Sequence, residues 1–581
     1  MEPDRRPLTP AAASGGASLL APLRRGARGV GPGVWLPLAF LAAGLGYPLF
    51  LLLTNAFNVG DPQALPPVEY GVANFVSLFD HLDWIGNTLL VSISGTILAT
   101  TIGIVLAWIL YRTTLPGQRM FELLIAIPYP LGPLVGALAW SALGSPHDGL
   151  LNRLFTSLTG IHEPLVNIYS VPGIIFVMAI FEAPVAVLMI GAAMQHMDSA
   201  LEESSTVFGA GKLHTAFRVT LPLMLPAILS AALFLFTSMM GAFAIPTMLG
   251  TNARFYVATT AIYVLFQSYP PNYPLAAAIG VVLIVITALA VWLYARVLKH
   301  RTHAIIFGRN YRPRRLNMRG WGPLLLAFEC MYVLVSLVLP IGVLVLASLQ
   351  QTGDLSWMPA NWTLKNFHYI LIDFPTTREA IGNSLLLGIG TGTVGVALAT
   401  TIAWTVHRSQ STGRRLLEQV TMLPQAFPRL IFAFGFMWMV MSLPIHLYGT
   451  IYAVLLAYII VFLPLAYRGM SGVVVQIDRS LEEAARVSGA HWRRMMRTVT
   501  LPLLRAGLLA NWVLLFMISV REVSASLFLS GPGTQVLGPA IFSFWDSGGL
   551  PRVSALAVVQ AAIILIALIV VRRLAGTKAG L

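Results

Sequence analysis

Several ionisable residues lie within long apolar segments of the chain, where a charged side chain is costly and usually faces a partner or a cavity, and one group of them stands out. This group comprises Glu182, Arg429 and the neighbours Arg521 and Glu522. Under one interpretation, Glu182 and Glu522 offer oxygen ligands to a hard cation, so that Glu182, Arg521 and Glu522 line a substrate path. Under the other, these side chains form ion pairs between helices, for example Glu182 with Arg521. The sequence gives no firm metal site.

Two loops carry a second set of residues with a defined spacing. Residues 198–223 and 478–503 are identical at 12 of 26 positions. Asp198 and Asp478 open the two stretches and are residues that cap helix N-termini well. A left-handed glycine that can end the helix follows eleven residues later in each copy. The pattern predicts a short helix, a turn and a second short helix in each loop.

The composition indicates that both sets of residues belong to a membrane protein. The chain is 57% hydrophobic and 10% charged, with a mean hydropathy of +0.77. About 20 apolar residues cross a hydrocarbon layer of about 30 Å. We therefore predict twelve membrane spans, near 34–56, 87–111, 121–143, 171–193, 223–245 and 275–295, and near 322–348, 383–406, 419–443, 450–470, 504–528 and 553–571.

The basic residues predict the orientation of these spans. Of the 37 Lys and Arg, 30 fall in the tails and in alternate loops, and five fall in the other loops. Because cytoplasmic loops are enriched in Lys and Arg, both termini are expected in the cytoplasm. The net charge of +14 is thereby explained without a nucleic-acid partner.

The two halves of the chain repeat each other. Asn87-Thr-Leu-Leu opens the second span, and Asn383-Ser-Leu-Leu opens the eighth, 296 residues later. Six spans per half make the two repeats parallel. The predicted organisation is a disordered cytoplasmic tail at 1–33, a first repeat at 34–295, a basic cytoplasmic linker at 296–321, a second repeat at 322–573 and a cytoplasmic tail at 574–581.

The second loop resembles the EAA loop of ABC importer permeases, in which Glu-Ala-Ala is followed by Gly and then by Leu-Pro. It reads Glu483-Ala484-Ala485, then Gly489, Val499, Leu501 and Pro502, with Val499 in place of the usual Ile. The first loop matches less closely, because serine replaces both alanines. Its corresponding residues are Glu203, Ser204, Ser205, Gly209, Val219, Leu221 and Pro222.

The resemblance covers nearly the whole chain from about residue 34. It implies an all-α type I ABC importer permease fold, with about 12 transmembrane helices in two parallel six-helix repeats. It also implies that two copies of a cytoplasmic ATPase dock on the two loops. The coupling residues would be Asp198, Glu202, Glu203, Gly209, Leu221, Pro222, Asp478, Glu482, Glu483, Ala484, Ala485, Gly489, Leu501 and Pro502.

The same resemblance implies the remaining partners and the location. A periplasmic binding protein would deliver the substrate, and the chain would lie in the lipid bilayer of a bacterial inner membrane. ATP and Mg would be bound by the separate ATPase subunit, so no cofactor is expected and the chain is not an enzyme. The nearest phosphate-loop lookalike, Gly209-Ala-Gly211-Lys212, lacks the upstream Gly and the Ser or Thr after Lys.

A short segment of the second half narrows the range of candidate substrates. Arg521-Glu522-Val523-Ser524 resembles the Arg-Glu-Leu segment of ferric iron permeases, although Val523 replaces the Leu. Fused permeases of this length are similar to the ferric iron, thiamine, putrescine and aminoethylphosphonate group. Ferric iron is the favoured cargo, and the other three stay open. A secondary transporter driven by an ion gradient is the alternative of a different class, and it would lack the paired loops.

Overall fold

The computed structural model describes residues 32–62, 64, 67–197, 200–299, 320–353, 355, 361–409 and 411–575. Most of the two predicted tails and most of the linker at 296–321 lie outside this part of the chain. Within it the chain is built from helices, joined outside the spans by turns and two isolated β-bridges. This agrees with the predicted all-α membrane fold.

Ten helices are long and apolar enough to cross a membrane, and two bent helix pairs raise the number to twelve if each pair is one span. The first half comprises α1 Gly33–Ala56, α2 Ala73–Arg112, α3 Gln118–Leu131, α4 Pro133–Gly144, α5 Leu150–Thr159, α6 Val171–His196, α7 Ala200–Val207, α8 Ala216–Met240, α9 Ala244–Gly250, α10 Ala258–Gln267 and α11 Tyr273–Lys299.

The second half repeats this order after the linker. It comprises α12 Gly322–Ser348, α13 Pro375–Arg408, α14 Arg414–Ala426, α15 Arg429–Ser442, α16 Ile451–Gln476, α17 Arg479–Val487, α18 Trp492–Val520, α19 Leu537–Asp546 and α20 Leu550–Ala575.

Equivalent hydrogen bonds show the internal repeat directly. The Asn87 side-chain amide donates to the carbonyl oxygen of Tyr256 at 3.0 Å. In the second half, the Asn383 amide donates to the carbonyl oxygen of Gln535 at 2.9 Å. Each bond ties the second span of a half to the segment that follows the fifth span of the same half, so the two bundles are built alike.

The third and ninth spans are not straight, contrary to the prediction. Helices α3 and α4 meet at an angle of 97°, and α14 and α15 meet at 107°. Gly132 makes the first break with a positive φ of 96°, which an L side chain rarely adopts. Pro428 precedes the second limb in an extended conformation. Proline and glycine at these points interrupt the helical hydrogen bonds, although the apolar pattern continues through them.

The fifth and eleventh spans end earlier than predicted. Helix α8 ends at Met240 and α18 at Val520, so Arg521 and Glu522 lie just beyond a helix and not within one. The Glu522 carboxylate accepts the N–H of Ala525 at 3.2 Å. Such local side-chain bonds offer the backbone an alternative to the helix, and the uninterrupted apolar sequence does not reveal them.

The first helix of each half packs against the other half. Tyr47 of α1 is hydrogen-bonded through its hydroxyl to the hydroxyl of Ser442 at the end of α15, at 3.1 Å. Tyr332 of α12 donates its hydroxyl to the carbonyl oxygen of Ile180 in α6, at 2.8 Å. The two bundles are therefore interlocked through exchanged helices.

Helices α2 and α6 approach so closely that one glycine leaves no room for a side chain. A Cβ added to Gly103 would lie 2.3 Å from the Cβ of Ala186, whereas one added to Gly86 of the same helix would meet nothing within 4 Å. Small residues of this kind allow membrane helices to pack in direct contact.

Gly103→Leu is expected to destabilise the protein, because the new side chain forces α2 and α6 apart. Overpacking of this kind costs about 1–3 kcal/mol, and the thermal unfolding midpoint of the purified protein in detergent measures it. Gly86→Leu is the matched control on the same helix and should leave the midpoint unchanged. Equal midpoints for both variants would contradict the close contact.

Candidate functional site

A central cavity of about 140 Å³ lies between the two halves. Its wall brings together the ionisable residues that the sequence places in or near the spans. These residues are Glu182, Arg429, Arg468, Arg521 and Glu522. Arg468 was not predicted to belong to this set, because it lies two residues before the predicted end of the tenth span and was counted with the cytoplasmic loop that follows. Helix α16 in fact continues to Gln476.

Both broken helices line this cavity at their bends, and each bend is supported by a side chain of the opposite half. Arg521 donates a hydrogen bond to the carbonyl oxygen of Tyr129 and lies 4.4 Å above the Tyr129 ring. The hydroxyl of Thr287 lies 2.9 Å from the carbonyl oxygen of Ala426. Backbone groups freed inside a membrane must find such partners. Neither role was predicted, since neither break was.

The ion pair in the cavity differs from the one suggested by the sequence. Arg429 Nη1 lies 3.2 Å from Glu522 Oε2, and Glu522 is 4% exposed. In the described part of the chain, Glu182 and Arg521 form no ion pair. One oxygen of Glu182 instead accepts a hydrogen bond from Ser238 at 3.2 Å. Arg429 is the first residue of helix α15.

The lining of the cavity is not the acidic, oxygen-rich stretch that the sequence suggested. It carries three arginines and two glutamates, which gives a formal charge of +1 among its described lining residues. Glu522 is compensated by Arg429. Glu182 remains the carboxylate without an ion-pair partner among those residues.

The two repeated loops form the second part of the site. Asp478 caps helix α17 by accepting the backbone N–H of Ser480 at 2.9 Å. This backbone bond, with a weaker contribution from the Ser480 side chain, lowers the pKa of Asp478 below its ordinary value. The cap is therefore present at neutral pH and is lost as the pH falls through the lowered pKa. Asp198 lies outside the described residues.

The glycines that follow the two loop helices adopt the predicted left-handed conformation. Gly209 has a φ of 81° and Gly489 a φ of 80°. The sequence suggested that the second short helix of each loop is separate from the next span. In the structure the two are joined. The short helix continues through a π-helical turn, Ala216–Thr220 or Met496–Thr500, into the span. The Leu-Pro pairs, Leu221-Pro222 and Leu501-Pro502, begin directly after these turns.

A buried ion pair anchors each loop to the end of a long helix. Arg112 Nη1 lies 3.4 Å from Glu202 Oε2. In the second half, Arg408 Nε lies 3.8 Å from Glu482 Oε1. The first Glu of each Glu-Glu doublet thus points into the protein and holds the loop in place.

The opposite face of the loop is open to solvent. Glu483 and Ala484 are exposed, and Ala485 is half-buried. The side chain of Glu203 lies outside the described residues. Two large apolar residues at equivalent positions stand out on this surface, Val207 at 83% and Val487 at 91% exposure. Sequence analysis missed them, because an apolar residue in a loop helix is expected to face the core.

Each half of the chain also matches the same known protein family. A family described as binding-protein-dependent transport system inner membrane component matches residues 99–303 and 393–577. The chain belongs to this family. Each half of the permease supplies one copy of the family domain, and both copies contain a repeated loop and a bent helix pair.

Several relatives of the permease are known. An Fe(3+)-transport system permease protein of Haemophilus influenzae is 24% identical over 85% of this chain and 92% of its own length. A putative 2-aminoethylphosphonate transport system permease protein of Salmonella typhi is 27% identical over 42% of this chain and 91% of its own length. A bacterial ABC transporter involved in the import of alginate covers 46% of the chain and 93% of its own, with 22% identity and a TM-score of 0.39.

Replacing either partner of the Arg112–Glu202 pair should destabilise the permease, because the other charge stays buried without compensation. A loss of about 3–5 kcal/mol is expected for Arg112→Met or for Glu202→Gln. The double variant should lose less than the sum of the two. Thermal unfolding in detergent measures all three.

The exposed Arg119, at the start of α3, provides the control. Arg119→Met removes the same charge seven residues further along the chain and should leave the unfolding midpoint unchanged. Strict additivity of the two single losses would show that the pair does not anchor the loop.

Proposed function

We propose that this permease is the transmembrane subunit of an ATP-driven importer, and that its two loops each bind one copy of a cytoplasmic ATPase. The observation that carries the proposal is the pair of equivalent loop helices, α7 and α17, each anchored from behind by an ion pair. Both present an exposed apolar residue, Val207 or Val487. A surface of this kind on a rigid support favours binding of a partner.

A chain of contacts connects the second loop to the cavity. Glu482 on α17 pairs with Arg408, the last residue of α13. Arg408 also donates hydrogen bonds to the carbonyl oxygens of Val474 and Ile477, where α16 ends. Helix α16 lines the cavity through Arg468 and its neighbours. A displacement of α17 by a motor would therefore move two helices, one of which borders the cavity.

The first loop is connected in the same manner. Glu202 accepts a hydrogen bond from the hydroxyl of Thr220 at 2.7 Å, at the start of helix α8, and pairs with Arg112 at the end of α2. ATP binding by the ATPases would shift the two bundles between inward- and outward-facing states, because ATP binds the two states with different affinities. Substrate would pass through the central cavity, after delivery by a periplasmic binding protein.

Ferric iron is the proposed cargo. It is supported by relatives that match more than four fifths of the chain and whose names state ferric transport, and by the Arg521-Glu522 segment. Aminoethylphosphonate is the second candidate, and two observations favour it: a relative named for its transport matches 42% of the chain, and the cavity carries an excess of arginine. No observation favours thiamine, putrescine or an ion-gradient transporter over these.

The double variant Val207→Arg and Val487→Arg should abolish retention of the ATPase, because one charge replaces the apolar centre of each docking surface. Co-purification of the ATPase with the tagged permease measures the loss, and ATP hydrolysis stimulated by binding protein should fall in parallel. Leu158→Arg is the control, since Leu158 is 84% exposed on α5, in a predicted external loop. Undiminished retention in the double variant would contradict docking on these loops.

Cells that express the permease with the ATPase and binding protein encoded beside it should accumulate radioactive iron supplied as a ferric salt. The same cells carrying the Val207→Arg and Val487→Arg variant should not, because the motor is uncoupled. Accumulation of labelled aminoethylphosphonate without iron would exclude ferric iron as the cargo while leaving the importer assignment intact.

A further inference from the structure

We infer that the central cavity holds an oxyanion group of the cargo, a phosphonate, phosphate or carboxylate, between the two helix breaks and beside Arg521. The inference rests on the proposed function in one respect, that the cavity lies on the transport path. It adds the chemical class of the group that the cavity recognises.

Two helix N-termini converge on the cavity. Helix α4 begins at Pro133 and α15 at Arg429, and the residues at both starts line the cavity wall. The first N–H groups of a helix have no intrahelical acceptor, and the aligned peptide dipoles place partial positive charge there. Broken membrane helices that present their N-termini in this way favour anionic groups.

Arg521 is an independent observation that favours an anionic ligand in the cavity. Its side chain is 7% exposed and lines the cavity. It donates to the Tyr129 carbonyl oxygen, but among the described residues no carboxylate pairs with it. A buried guanidinium has five N–H donors and a strong need for a counter-charge. An oxyanion in the cavity would supply both the charge and the acceptors.

Glycine at the first break makes this placement of Arg521 possible. A Cβ at residue 132 would lie 3.2 Å from Cδ of Arg521, closer than ordinary packing, so a larger residue there would displace the arginine stem. The break therefore exposes the N-terminus of α4 and admits Arg521 next to it.

The charge of the cavity argues against an uncomplexed cation. Arg429 is neutralised by Glu522, but among the described residues Arg468 and Arg521 have no carboxylate partner and face a single unpaired glutamate, Glu182. A trivalent metal ion would be repelled by this excess of positive charge. Ferric iron would fit only as a complex whose own ligands bring negative charge. An organic phosphonate would fit directly.

The test uses the purified full chain in lipid nanodiscs and thermal unfolding, because a ligand that binds the folded state raises the unfolding midpoint. The probes are sodium phosphate, 2-aminoethylphosphonate and ferric citrate, each compared with sodium chloride at equal ionic strength. Putrescine serves as the cationic probe. At least one oxyanion should raise the midpoint above that in chloride, and putrescine should not.

Arg521→Gln should weaken binding of whichever oxyanion stabilises the unaltered chain by about tenfold or more. This is the effect expected from the loss of one hydrogen bond with a charged donor. Arg521→Lys keeps the charge, and it replaces the Gln variant in this comparison if that variant fails to fold. Arg296→Gln is the control, because Arg296 also lies over an aromatic ring, that of Trp292, but outside the cavity. It should bind the probe as the unaltered chain does.

The pattern of responses separates the two sources of the oxyanion. Stabilisation by 2-aminoethylphosphonate alone identifies an organic phosphonate, whereas stabilisation by ferric citrate alone identifies an anionic ferric complex. The inference is overturned if no oxyanion exceeds chloride, if putrescine stabilises instead, or if the Arg521 variants bind as well as the Arg296 variant. Because retention of the ATPase is read separately, these outcomes leave the proposed coupling untouched.

Discussion

A peptide group that leaves a helix inside a membrane must find a partner, because lipid offers none. The two broken helices of this permease meet that constraint with side chains from the opposite half: Arg521 binds the carbonyl oxygen of Tyr129, and Thr287 lies against that of Ala426. The breaks are therefore stable only in the assembled pair of bundles, and the cavity exists at the place where the bundles meet.

Uncompensated charge constrains the two loops in the same way. Each loop helix is held by a glutamate whose charge is paired with an arginine at the end of a long helix, Arg112 or Arg408. The loop cannot move without carrying that helix along or leaving a buried charge unpaired. Each ion pair thus couples the position of a short surface helix to that of a membrane-spanning helix.

Long-range consequences of the sequence were harder to predict than local ones. Apolar length identified the spans, and the residues around Asp478 and Gly489 predicted the loop conformation, since caps and left-handed turns depend on near neighbours. The bends at Gly132 and Pro428 were missed because hydropathy does not register backbone geometry. The pairing of Glu522 with Arg429 depends on packing between distant segments, which spacing along one chain does not encode. Arg468 was missed because it lies at the end of its predicted span and was counted with the loop that follows.

The exchange of first helices between the halves bears on how such a chain can be divided. Tyr47 and Tyr332 each hold their helix against the neighbouring bundle, so neither bundle completes its packing from its own half alone. A gene split within the linker would encode two polypeptides, each lacking part of its surface until it met the other. Mutual dependence of this kind favours assembly of the matching pair over two copies of one piece.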